Sequence, residues 1–162
     1  MWSAAPEQSP AEEPPFVPAA LRASLGFLLS RVGGESRRRF VQSLAAWDLR
    51  PTHYAVLIVL AEIGAASQRH LAEIVGVDPR NLVTVVDLLE ARGLVVRRPD
   101  PADRRRHEIR LTEAGGEELG RMRAASDAAE RELLGGLTDA ERRVLHDILT
   151  RLLPGVTHAA KE

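Results

Sequence analysis

The chain has 162 residues, a formal net charge of −1 and no cysteine. That length suits one domain with a sizeable core, and the missing cysteines exclude disulfides, thiolate catalysis, thiol redox sensing and cysteine-ligated zinc. The sequence has no run of 18 apolar residues, and its N-terminus lacks a basic region followed by an apolar stretch. No membrane span or secretory signal is therefore expected, and a cytoplasmic location is the simplest reading.

Residues 1–18 hold five of the ten prolines together with Glu7, Glu12 and Glu13. Such a composition buries too little apolar surface to offset chain entropy, so a disordered tail is expected there. The remaining prolines punctuate the body: Pro51 and Pro79 at helix starts, Pro99 and Pro101 around an arginine-rich stretch, and Pro154 after the last apolar stripe.

Six helices and a hairpin follow from the periodicity. Leu21, Leu25, Leu28, Val32, Phe40, Leu44 and Trp47 lie on one face of a long first helix, which Gly33 and Gly34 interrupt at about 1 kcal/mol each. A second helix opens at Pro51 and ends at Gly64. Ser67 caps a short third helix closed by Gly76, and Asp78 with Pro79 opens a fourth that ends near Gly93. The runs Leu94 to Val96 and Ile109 to Leu111 flank a polar loop of about ten residues, as in a hairpin. Thr112 caps a fifth helix carrying Leu119, Met122, Ser126, Ala129 and Leu133 at near-heptad spacing, and Thr138 with Glu141 forms a capping box for the sixth. The broad stripe Val144, Leu145, Ile148, Leu149 and Leu152 on that last helix suits burial against a second subunit.

Within this series, SQRHLAEIVGVDPRNLVTVVDLLEARG matches two helices joined by a tight turn. Leu71, Ala72 and Ile74 are expected to point inward with Val77 in the turn, while Leu82, Val85, Val86 and Leu89 form the buried face of the second helix. Arg80, Asn81, Val83 and Thr84 are then left on its exposed N-terminal half, where recognition helices meet base edges in the major groove. Arginine reads guanine, and asparagine reads adenine, through paired hydrogen bonds.

Of the 22 basic residues all but Lys161 are arginine, and the stretch Arg97 to Arg110 sets six arginines against Asp100, Asp103 and Glu108, a local excess of three charges. A hairpin directly after a recognition helix is a wing, and an arginine-tipped wing reaches the adjacent minor groove and flanking phosphates.

The stretch LEARGLVVRRPDPADRRRHEIRLTEAG resembles the MarR family of winged-helix transcriptional regulators, and the resemblance extends from Leu21 to about Leu153. It implies a mainly α fold, a winged helix-turn-helix with a β-hairpin wing and a helical dimerisation region. The implied domain runs over 19–154, with a DNA-binding lobe at about 52–112, dimerisation helices at about 19–48 and 113–153, and a C-terminal tail at 155–162. The resemblance further implies that Asp103 pairs with Arg105 and aims it into the minor groove, leaving Arg104 and Arg106 mainly for phosphate. Ser67, Gln68 and Arg69 would anchor the DNA backbone. An obligate homodimer of the first, fifth and sixth helices would bind a pseudo-palindromic operator with half-sites about 10 bp apart or a multiple of that.

Family members are commonly released from DNA by small aromatic or phenolic ligands, held where the dimer helices meet the DNA-binding lobe. Arg38, Trp47 and His53 are the residues expected to supply donors and a flat apolar wall there. Repression is the family's commoner outcome and is the expected direction of regulation. A winged-helix protein-interaction module and a metal-responsive family member are the alternatives. His53, His70, His107, His146 and His158 are scattered without metal-ligand spacing, so no metal or other cofactor is expected. No phosphate-binding glycine loop, HExxH or nucleophile elbow is present, and enzymatic activity is not expected.

Overall fold

The computed structural model describes residues 17–99 and 107–159. The described residues divide into two compact units, one ending at Glu35 and the other beginning at Ser36. The helices are α1 (Ala19–Arg22), α2 (Leu25–Ser43), α3 (Pro51–Ile63), α4 (Gln68–Val75), α5 (Pro79–Ala91), α6 (Glu113–Leu133) and α7 (Asp139–Ala159). The strands are β1 (Ala65–Ser67), β2 (Val95–Pro99) and β3 (His107–Leu111). The predicted third and fourth helices are thus α4 and α5.

The first predicted helix is broken in two. Ser24 restarts the chain as α2 by accepting the Phe27 N–H on its Oγ at 3.4 Å, and α2 then runs through Gly33 and Gly34 without interruption. It ends at Ser43, so Leu44 and Trp47 lie outside it. A 3-10 turn over Ala45–Trp47 follows, closed by Asp48 in the left-handed conformation (φ 49°, ψ 41°).

The later boundaries obey local chemistry. Pro51 opens α3, where a missing N–H costs nothing. Ser67 Oγ accepts the His70 N–H at 3.3 Å to open α4, and Gly76 closes it at φ 75°. Asp78 Oδ1 accepts the Arg80 N–H at 2.7 Å to open α5. Thr112 Oγ1 accepts the Gly115 N–H at 2.9 Å, and Thr138 and Glu141 exchange bonds as the capping box requires. The expected stop at Pro154 does not occur, and α7 continues to Ala159. A proline there removes a single N–H bond, and the chain stays helical on both sides of it.

The sheet is antiparallel in the order β1-β3-β2, with Ala66 opposite Ile109 on one side and Arg97 opposite Ile109 on the other. Both hairpin strands are longer than the apolar runs that announced them, because Arg97, Arg98, His107 and Glu108 also pair. α3 packs against α4, α5, α6 and β3. Val56, Leu57 and Leu60 from α3, Leu71 and Ala72 from α4, Leu82, Val86 and Leu89 from α5, Ile109 from β3, and Leu119 and Met122 from α6 share one buried core. Each large apolar side chain buried there contributes about 1.5 to 3 kcal/mol.

One expected core residue is misplaced. Ile74 is 46% exposed, and Val75 packs on the core instead. On a 3.6-residue helix the buried pair Leu71 and Ala72 is continued by position 75, which leaves position 74 roughly 100° away from that face.

Candidate nucleic-acid interface

α4 and α5 are joined by the three residues Gly76, Val77 and Asp78, with Val77 packed against the core. This hinge holds the pair as a helix-turn-helix. With Leu82, Val86 and Leu89 turned inward, Arg80, Asn81, Val83 and Thr84 stand exposed on the first two turns of α5. Arg80 has no ion-pair partner among the described residues. Asp78, Pro79 and the helix geometry therefore put a guanidinium and an amide at the leading end of the helix.

The residues expected to anchor a DNA backbone sit at the start of α4. Ser67 is exposed and spends its Oγ on the cap, Gln68 is half-buried, and Arg69 is exposed with its Nε on Glu73 Oε1 at 3.0 Å. An exposed pair of this kind is weak and exchanges readily for another anion.

The arginines of the hairpin divide by position. Arg97 at the wing root is consumed internally: its guanidinium bonds to Glu90 and to Asp87 Oδ1, the latter at 2.5 Å, and its backbone N–H to Glu90 Oε1 at 3.0 Å. These bonds hold the Glu90 carboxyl below the usual carboxylate range, chiefly through the Arg97 backbone N–H. Arg110 bonds to Glu108 at 2.6 Å. Arg98 is exposed and without an ion pair among the described residues. Two of the six arginines thus build the wing. Asp103, Arg104, Arg105 and Arg106 lie outside the described residues.

A crevice of about 830 Å³ opens beside α5. Val41, Leu49, Val77, Val85 and Leu88 give it apolar walls, and Arg50, Thr52, His53, Asn81, Thr84 and Arg92 supply donors. Of Arg38, Trp47 and His53, the residues expected to meet a ligand, only His53 lines this space. Arg38 is exposed and bonds to Gln42 Oε1 at 3.0 Å within its own helix, while Trp47 is half-buried against the core. His53 is 7% exposed, and its Nδ1 accepts the Arg50 N–H at 3.0 Å. Burial, joined by the Arg50 and Arg92 charges, pushes its pKa below the ordinary 6.5. The ring is therefore neutral at neutral pH, with its proton on Nε2. Arg50 and Arg92 went unnoticed in the sequence because their nearness to the crevice depends on contacts between distant segments.

A helix-turn-helix whose second helix exposes polar side chains and is followed at once by a basic β-hairpin defines a winged-helix DNA-binding protein. A profile of the MarR family matches residues 47–106. A Thauera aromatica protein named as a transcriptional regulator for the hcr operon is 34% identical over 138 residues, which are 85% of this chain and 83% of that protein. The crystal structure of CouR from Rhodococcus jostii RHA1 bound to p-coumaroyl-CoA is 38% identical, with a TM-score of 0.68 over 83% of this chain and 95% of the other. The transcriptional repressor CouR bound to a 23-mer DNA duplex is similar at 30% identity, with a TM-score of 0.72 over 83% of this chain and 96% of that one. A structure of Bordetella bronchiseptica BpsR, whose DNA binding is regulated by 6-hydroxynicotinic acid, is 27% identical, with a TM-score of 0.67 over 84% and 97% of the two chains. The chain belongs to the MarR family. It is a DNA-binding transcriptional regulator and not an enzyme. Among the described residues, no helix is long and apolar enough to cross a membrane.

Proposed function

We propose that this protein is a homodimeric repressor that binds a pseudo-palindromic operator and is released from it by a small aromatic or phenolic ligand. The observation that carries this reading is the division of α5, with Leu82, Val86 and Leu89 buried and Arg80, Asn81, Val83 and Thr84 exposed. Arg80 and Asn81 have the chemistry to read guanine and adenine, Val83 and Thr84 to contact a thymine methyl. Ser67, Gln68 and Arg69 hold the backbone. Arg105, aimed by Asp103, enters the minor groove while Arg104 and Arg106 meet phosphate.

Dimerisation is supported by apolar side chains left in water. Leu21, Leu25, Leu28, Leu29 and Val32 are exposed in the first unit, and Val144, Ile148, Leu149 and Leu152 along α7 in the second. A second copy gives each stripe a partner.

The crevice is the ligand site in this reading. Its volume suits an aromatic molecule, and its lining sets the donors of Arg50, Thr52, His53, Asn81 and Thr84, with the Asp48 carboxylate, beside apolar walls. Asn81, Thr84 and Leu88 belong to α5 itself, so an occupant touches the helix that reads DNA. A ligand that prefers the arrangement unfit for successive major grooves shifts the population away from DNA. CouR with p-coumaroyl-CoA and BpsR with 6-hydroxynicotinic acid support an aromatic carboxylate or its derivative as the ligand class.

A gel-shift titration with the duplex upstream of the protein's own gene, repeated over a range of salt, tests the proposal. A specific band whose affinity falls steeply with salt is expected from counterion release. Equal binding to an unrelated duplex would contradict operator recognition.

A further inference from the structure

The C-cap residue of α5 is tied to a distant corner of the chain. Arg92 caps that helix, its N–H bonded to Leu88 O. Its guanidinium reaches the turn before α3: Nη1 donates to the Trp47 carbonyl, and Nη2 donates to the Asp48 carbonyl at 3.5 Å and to Asp48 Oδ2 at 3.3 Å. Trp47 ends the 3-10 turn, where carbonyls lack helical partners, so this guanidinium caps a second helix end besides its own.

The corner it grips turns sharply: Asp48 is the one non-glycine residue with positive φ among the described residues, a left-handed conformation that aspartate takes as a single residue more readily than other side chains do. The Asp48 carboxylate is 98% exposed, and an ion pair in water adds little. The carbonyls of the turn carry the contact, through charge-assisted hydrogen bonds from a planar fork.

We infer that Arg92 is a positioning residue for DNA reading, fixing the C-terminal end of α5 against the Trp47–Asp48 turn and thereby the tilt at which α5 presents Arg80 and Asn81. The inference rests on the reading of α5 and of the homodimer given above. In a dimer the tilt of two such helices sets the half-site spacing that both can occupy at once. Arg92 also borders the crevice, so an occupant there acts beside this tie.

The test is affinity, by fluorescence anisotropy, for the operator and for duplexes with one base pair added or removed between its half-sites. For the native protein, one base pair moves a half-site by about a tenth of a turn, and about a tenfold loss is expected. Arg92→Gln is expected to bind the native spacing more weakly and to shrink the spacing penalty to about threefold or less, since a loosened helix accommodates either register. Asp48→Asn keeps both carbonyls and is expected to retain the native penalty. Arg92→Lys, with one ammonium in place of the fork, is expected to fall between and serves should the glutamine variant fail to fold. A variant that loses affinity equally at all spacings would overturn the positioning role. A native protein indifferent to spacing would instead refute the dimeric reading itself.

Discussion

Glu90, in the last turn of α5, accepts both the backbone N–H of Arg97 at 3.0 Å and a guanidinium N–H of the same residue. One carboxylate thereby ties α5 to β2, the helix and the strand proposed to face DNA. Replacing Glu90 by alanine strands a half-buried guanidinium and a strand N–H. The expected loss is about 1 to 2 kcal/mol, at the lower end for a partly exposed pair, measured by urea unfolding. Because the folded-state pKa of Glu90 is lowered, its contribution is complete above the ordinary value of 4.5 and vanishes as pH falls through the depressed one. The alanine variant should therefore converge on the native protein in acid.

His53 gives a second and separate acid limb. Its neutral ring is buried and takes the Arg50 N–H on Nδ1, while Arg50 and Arg92 oppose a further positive charge and the exposed Asp48 only partly offsets them. A histidine with a depressed folded-state pKa contributes stability that is full above 6.5 and falls as pH drops through the lowered value. Chemical unfolding followed from pH 7.5 to 5 should show this decline in the native protein and a flatter profile in His53→Gln.

Gly115 lies in the first turn of α6, directly against the Leu94 backbone that leads from α5 into β2. A Cβ added there would stand 2.0 Å from the Leu94 carbonyl oxygen, and Thr112 binds both the Gly93 and the Leu94 carbonyls beside it. Backbone has nowhere to go at such a distance, so Gly115→Ala should destabilise the fold by about 2 to 4 kcal/mol. Gly116→Ala, one residue on, meets only a Leu111 side-chain carbon at 3.9 Å and should unfold close to the native midpoint.

Much of this architecture is legible in the sequence because it rests on local chemistry. Ser67, Asp78, Thr112 and Thr138 sit where their side chains close helix ends, and Leu82, Val86 and Leu89 repeat with the period of one helix face. The features missed depend on pairing across the chain. β1 is three small residues, Ala65 to Ser67, with no β-forming character of their own, and it becomes a strand only through β3. Arg92 reads as one more helix-end arginine until Trp47 and Asp48 are folded against it. Ile74 went astray because an apolar residue spaced three from Leu71 fits the period as well as Val75 does, and only the position of α3 decides between them.

The wing tip and the recognition helix should be separable by the kind of loss they produce. Arg105→Ala is expected to weaken binding to many sequences alike and to lower the salt slope by about one, as loss of a groove-inserted cation does. Affinities for operator and for unrelated duplex, compared at two salt concentrations, decide this.

The central claim, that α5 reads bases through its exposed first turns, is tested most directly by scanning single base-pair changes through one half-site against the native protein and Arg80→Ala. The native protein should lose about 1 to 3 kcal/mol at the base pair that Arg80 contacts, and Arg80→Ala should be indifferent to changes at that position alone. Identical penalty profiles for the two proteins would contradict the assignment of α5 as the reading helix.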